Sequence, residues 1–280
     1  MADQTTSPSA DDPGRTFREL HRPGEPFILA NAWDAGSAKM LAALGAAAIG
    51  TSSAAHAFTL GRPDGGHVSR DEAMAHAADL VAATPLPVSG DFENGFGADA
   101  AAVAETIRLS AEVGLAGISI EDTALPSSDP YPFDTAVERV RAAAAAARAL
   151  PADFVLLARA DGVMLGTYDV DEAIRRVRAF EAVGADAVYV PLPPDLDQLT
   201  RVVSSVSVPV NALAAGSFTD VPYERFADIG VARISLGSAL ARATHRVIND
   251  AARAMLDHGD FRPLGRGIAG SDVDAMLTGG

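Results

Sequence analysis

Four stretches repeat one short phrase: LAALGAAAIG (41–50), SAEVGLAGISI (110–120), FEAVGADAVYV (180–190) and FADIGVARISL (226–236). In each, a helical run ends at a glycine (Gly45, Gly114, Gly184, Gly230) and a short apolar run follows at once. Glycine stops a helix because, lacking Cβ, it enters the left-handed conformation at little cost. An unbroken apolar run just after it reads as a strand buried on both faces, as in parallel sheets. The phrase therefore predicts a parallel βα unit.

Outward from these four, apolar runs at 27–31, 47–51, 87–91, 117–122, 154–159, 187–191, 208–211 and 232–236 bring the strands to eight. Helix-length, Ala-rich segments separate them at 34–44, 70–83, 99–113, 134–149, 171–183, 196–203 and 223–228. Ser69 or Asp71 can cap the second of these helices. Eight βα units predict an α/β fold, a (β/α)8 TIM barrel of eight parallel strands; an open doubly wound sheet is the alternative. A further long helix, 239–258, is expected outside the barrel or on another subunit. The expected organisation is a disordered tail over 1–15, one barrel with C-terminal helices over 16–265, and a C-terminal tail over 266–280.

The 280 residues suit a single barrel of about 250 residues. With no cysteine, disulfides, thiolate metal sites and cysteine nucleophiles are excluded. Asp and Glu number 37 against 22 Lys and Arg, a net charge of −15, which disfavours nucleic acid as a partner. Lys39 is the single lysine, which argues against Schiff-base chemistry. The polar, acidic N-terminus has no signal-like apolar core, and no apolar run has membrane-spanning length, so a cytoplasmic protein without a membrane partner is expected.

Barrel enzymes place their chemistry at the C-terminal ends of the strands. Those ends carry Asn31, Thr51–Ser53, Asp91, Glu93, Glu121, Asp122, Arg159, Asp161 and Asn211. Asp91, Glu93 and Glu121 should converge on one pocket. Carboxylates clustered without His or Cys suit a hard cation such as Mg²⁺, held by one or two of them and by waters. Arg159 can grip a substrate carboxylate with two prongs. Taken singly, such a carboxylate is as readily a helix cap. The loop TSSAAHAFTLGRPDGG (51–66) offers the Thr51–Ser53 hydroxyls and amides to an anionic oxygen. It also holds His56, an acid/base candidate or simply a surface residue, and Asp64 in a turn.

Read in order, N-x-x-D-x-x-S-A (31–38), T-S-S (51–53), L-G-R-P-D-G (60–65), D-F-E-N-G-F-G (91–97), I-S-I-E-D (118–122) and A-R-A-D-G (158–162) resemble the isocitrate lyase/phosphoenolpyruvate mutase superfamily. The resemblance implies a (β/α)8 barrel using Mg²⁺ (or Mn²⁺) to stabilise an enolate of a 2-oxo acid. It implies Asp91 as the direct metal ligand, with Asp64, Glu93 and Glu121 as carboxylates holding the metal's waters. Thr51 and Ser52, with Ser53 beside them, would bind the substrate's carboxylate and oxo oxygen. Arg159 would bind substrate, and Asn211 would lie near its distal end. A dimer or tetramer exchanging the C-terminal helix is implied as well.

The loop after the fourth strand, TALPSSDPYPF (123–133), departs from the pattern. It lacks the Cys of isocitrate and methylisocitrate lyases and the Lys and Asn of phosphonopyruvate enzymes, and Pro191 stands where mutases carry a His. The expectation is a Mg²⁺-dependent carbon–carbon lyase on a small anionic 2-oxo or 2-hydroxy carboxylic acid, by C–C cleavage or decarboxylation of an oxaloacetate-like acid. A C–P hydrolase or mutase, or a non-catalytic oxo-acid binder, is the alternative. The loop itself is expected to act as a mobile lid, the alternative being an ordinary exposed loop.

Overall fold

The computed structural model describes residues 12–278. The chain runs α1 (Pro13–Leu20), β1 (Phe27–Asn31), α2 (Ala35–Ala43), β2 (Ala48–Gly50), α3 (Ser53–Thr59), α4 (Arg70–Ala83), β3 (Val88–Asp91), α5 (Ala100–Glu112), β4 (Gly117–Glu121) and α6 (Phe133–Arg148). It continues β5 (Val155–Arg159), α7 (Gly162–Leu165), α8 (Val170–Ala182), β6 (Ala187–Tyr189), α9 (Leu196–Ser204), β7 (Val210–Leu213), α10 (Tyr223–Asp228), β8 (Arg233–Ser235), α11 (Ala239–His258) and α12 (Gly270–Thr278). Neighbouring strands pair in parallel, and β8 closes onto β1 through Phe27–Arg233 and Leu29–Ser235. The (β/α)8 barrel is thus closed, and the open-sheet alternative falls.

The repeated phrase behaves as read. Gly45, Gly114, Gly184 and Gly230 take φ of 94°, 89°, 107° and 88°, ending α2, α5, α8 and α10 directly before strands. Ser69, not Asp71, caps α4: it accepts from Glu72 N while the Glu72 carboxylate receives Ser69 N, a reciprocal capping box. Small side chains bring helices close; α6 buries Ala143, Ala144 and Ala147 on the face it turns inward.

The core lies mainly between strands and helices, with Ile49, Val88, Ile118 and Leu156 meeting Leu80, Ile107 and Phe180. Phe17 of α1, with Phe27, Leu29 and Val155, plugs the lower barrel. Arg18 latches α1 there, bonding Asp153 at 2.7 Å and Asp186 at 2.7 Å.

Three elements differ from the sequence reading. α1 begins at Pro13, inside the segment expected as a tail, because Asp12 accepts from Gly14 N and Arg15 N; residues 1–11 lie outside the described residues. Part of the expected loop 51–66 forms α3, capped by Ser52. Residues 270–278, within the expected C-terminal tail, form α12, which contacts α2. No helix among the described residues is long and apolar enough to cross a membrane.

Candidate active site

Asp91 ends β3 and is tied from three sides. Its backbone N donates to Thr51 Oγ1 at 2.7 Å. Its Oδ2 receives Ser53 N at 3.0 Å and Ser53 Oγ at 2.9 Å. Its Oδ1 receives Arg159 Nη1 at 2.7 Å and Ser119 Oγ at 3.4 Å.

Arg159 ends β5, with every arm of its guanidinium in use. Nε and Nη2 embrace Asp161 at 3.1 and 2.6 Å, Nη1 reaches Asp91, and Nη2 lies 3.4 Å from Glu121. The two-pronged carboxylate partner of Arg159 within the protein is therefore Asp161. Asp161 is positioned in turn: its N donates to Asp122 Oδ1 at 2.9 Å, and Asp122 Oδ2 receives Tyr168 OH at 2.7 Å and Arg176 Nη1 at 2.9 Å. Gly162 is required beside it, because a Cβ there would collide with the Tyr168 ring.

Glu93 stands in the left-handed region (φ 46°), where a non-glycine residue is strained. Its Oε1 receives Gly66 N at 3.0 Å, joining the loop after β3 to the loop after α3. Asp64 lies on that second loop and lines one pocket with Glu93.

These groups crowd negative charge. Burial, then the charges of Asp91 and Asp64, push the Glu93 carboxyl up to about 7. Burial, then Asp161, Asp91 and Glu93, raise Glu121 well above the carboxylate range. Burial and Asp91 raise Asp64. Burial opposes the charge on Arg159, but Asp161, Glu121 and Asp91 more than compensate and hold it firmly protonated. Asp64, Asp91, Glu93, Glu121 and Asp161 thus share the charge of Arg159, with His67 adding to it only at Asp64 among the described residues.

Such an excess of buried acid fits a hard divalent cation. Among the described residues, no three acidic or imidazole groups close around one point.

A cavity of about 140 Å³ descends from Asp91 and Arg159 into the barrel, lined also by Thr51–Ser53, Tyr189, Arg233 and Ser235. A second, of about 300 Å³, lies over Glu93, Glu121 and Arg159 beneath residues 123–128.

The expected site residues Thr51, Ser52, Ser53, Asp64, Asp91, Glu93, Glu121 and Arg159 all meet around these two cavities. Two hydroxyls already serve the fold: Thr51 holds Asp91, and Ser52 accepts Ala55 N to cap α3. Asn211 lies behind the wall rather than on it, its Oδ1 receiving Arg233 Nε at 2.8 Å and its Nδ2 donating to Ser235 Oγ at 2.9 Å. His56 is buried instead of on the surface. It stacks on His76 at 3.8 Å, and burial, then His76, lower it to about 4.

Loop 123–133 is internally bonded. Ala124 N donates to Asp129 O, Ser127 Oγ to Asp129 Oδ2, and Tyr131 N to Asp122 O. It lies against Gly66 and roofs the upper cavity.

Sequence reasoning missed the Asp122–Tyr168–Arg176 support and Arg233. The A-R-A-D-G motif already placed Asp161 beside Arg159 and could have signalled its part.

Residues 17–256 match the family model described as phosphoenolpyruvate phosphomutase. An uncharacterized protein of Mycobacterium tuberculosis is 35% identical over 266 residues, covering 94% of this chain and 96% of that protein. An oxaloacetate decarboxylase of Chromohalobacter salexigens is 31% identical over 258 residues, covering 90% of this chain and 88% of the relative. A crystal structure from Burkholderia cenocepacia, described only as a lyase/mutase, superposes with a TM-score of 0.91 at 42% identity, covering 96% of each chain.

Proposed function

The chain belongs to the phosphoenolpyruvate phosphomutase family, within the phosphoenolpyruvate mutase/isocitrate lyase superfamily, and on that premise we propose that it is a Mg²⁺-dependent carbon–carbon lyase acting on a small 2-oxo or 2-hydroxy carboxylic acid. The oxaloacetate decarboxylase among its relatives makes an oxaloacetate-like acid the first substrate to try.

One observation carries this reading: Asp64 and Arg159 line both cavities, with Asp91 at the head of the lower one, within a cluster of carboxylates that Arg159 leaves under-neutralised. Asp91 would hold the ion directly, with Asp64, Glu93 and Glu121 holding its waters. Mn²⁺ suits the same oxygen donors. The bound ion supplies a Lewis-acid charge that offsets negative charge building on the oxo oxygen.

The chain's own residues then do the positioning. Thr51 and Ser53 fix Asp91, while Asp161 holds the Arg159 guanidinium against the reacting region. Roof residues 123–128 cover the upper cavity and shed water. When the bond between the carbon beside the oxo group and the departing carboxylate breaks, its electron pair passes into an enolate, and loss of CO₂ requires no proton from the protein in that step. This agrees with a roof that has no Cys, Lys or His.

The test is calorimetric titration of oxalate, a mimic of pyruvate enolate, with and without Mg²⁺. Binding that needs Mg²⁺ and vanishes in Asp91→Ala is expected, followed by CO₂ release from oxaloacetate. Oxalate binding indifferent to Mg²⁺ and to Asp91→Ala would overturn the assignment.

A further inference from the structure

Arg233 is the first residue of β8 and reaches the same cavity as Asp91 and Arg159. It is 4% exposed, and its one hydrogen bond among the described residues is from Nε to Asn211. Nη1 is buried without a partner. The other deeply buried arginines are satisfied: Arg176 bonds Asp122, Glu172 and Tyr131 O, and Arg139 bonds the carbonyls of Asn94 and Gly97. A buried guanidinium normally finds such partners, because its charge is otherwise uncompensated. Burial indeed lowers Arg233 to about 10, and it feels the charges of Arg159 and Asp91.

We propose that Arg233 is a specificity-determining residue: with Ser235 beside it, its free fork forms a second carboxylate subsite on the pocket floor, so that the protein takes dicarboxylic 2-oxo or 2-hydroxy acids in preference to monocarboxylic ones. This rests on the reading above, with the substrate's first carboxylate placed at the Asp91 end. The guanidinium fork matches a carboxylate in shape and charge. Arg159 cannot serve as freely, since its fork is already filled by Asp161. Asn211 holds Arg233 by Nε, and Ser235 fixes the Asn211 amide, so neither Nη nitrogen of the fork has a hydrogen-bond partner among the described residues. A cavity of about 140 Å³ has the volume of about five waters, at ~30 Å³ each, which suits a few-carbon acid.

The experiment compares malate with lactate, which differ only in that malate's methylene carries the second carboxylate. Both are titrated into the Mg²⁺-loaded protein by calorimetry, with oxalate as the control for the Asp91 end. The wild type should prefer malate by about 10–100-fold, the worth of a charged hydrogen-bonded contact. That preference should vanish in Arg233→Met while oxalate affinity changes less than about threefold. Asn211→Asp is an isosteric second variant that gives Arg233 an internal carboxylate; it should abolish the preference too, even if Arg233→Met does not fold. A wild type without preference for malate overturns the subsite, as does its survival in both variants. Loss of preference in the variants alongside no Mg²⁺-dependent oxalate binding would keep the subsite and reject the metal-centred function.

Discussion

At the scale of single residues, the site divides into groups that face the cavity and groups that hold them. Asp161 belongs to both, since it lines the upper cavity and grips Arg159 through two hydrogen bonds. Asp161→Asn keeps the shape but removes the charge that holds the guanidinium. If the function is as proposed, kcat/KM for oxaloacetate should fall about 10–100-fold, the range for a hydrogen bond to a charged group, while the melting temperature stays near wild type. Steady-state kinetics beside thermal melts check this; an unchanged kcat/KM would release Asp161 from the role. Asp91, Glu93, Glu121 and Arg159 were legible in the sequence because they close apolar runs, where a barrel puts its chemistry. Arg233 was not, because it opens its strand. Only the register of β8 beside Asn211 and Phe27 brings its head into the pocket.

At the scale of elements, α1 shows how a short helix is held without much propensity of its own. Phe17 fills the barrel bottom, Arg18 pairs with Asp153 and Asp186, and His21 Nδ1–H donates to Phe17 O at 2.8 Å. Burial, then Arg233 and Arg18, lower His21 to about 3. A histidine neutral when folded takes up a proton on unfolding below its ordinary value near 6.5. Its contribution is therefore complete above that pH and is lost as pH falls toward about 3. By pH 5 this costs about 2 kcal/mol. Urea midpoints should drop more steeply from pH 7 to pH 5 in the wild type than in His21→Leu; parallel slopes would refute this. The strands and main helices were readable because each carries its own apolar run, cap or glycine stop. Helix α3 was hidden because seven residues, three of them Ala, carry little periodicity.

At the scale of the whole molecule, α11 is the element the barrel does not complete. Of its twenty residues only Ala241 and Ala251 are buried, while Val247 and Ile248 are 68% and 64% exposed. An apolar face of this kind marks an interface. A dimer or tetramer is expected by light scattering, and Val247→Glu with Ile248→Glu should shift it toward monomer without loss of helical signal. A wild-type monomer would end this reading. The same division between local and global runs through the molecule. The sequence by itself determined the eight βα units, and motif order pointed to the carboxylate site, because capping, glycine stops and apolar runs act over a few neighbouring residues. Only the tertiary structure decided that Arg159 is already embraced by Asp161, that Asn211 stands behind Arg233, and that His56 lies buried on His76. Those facts depend on strand tilt, register and which groups burial leaves without a partner, and none of these is written in the spacing along the chain.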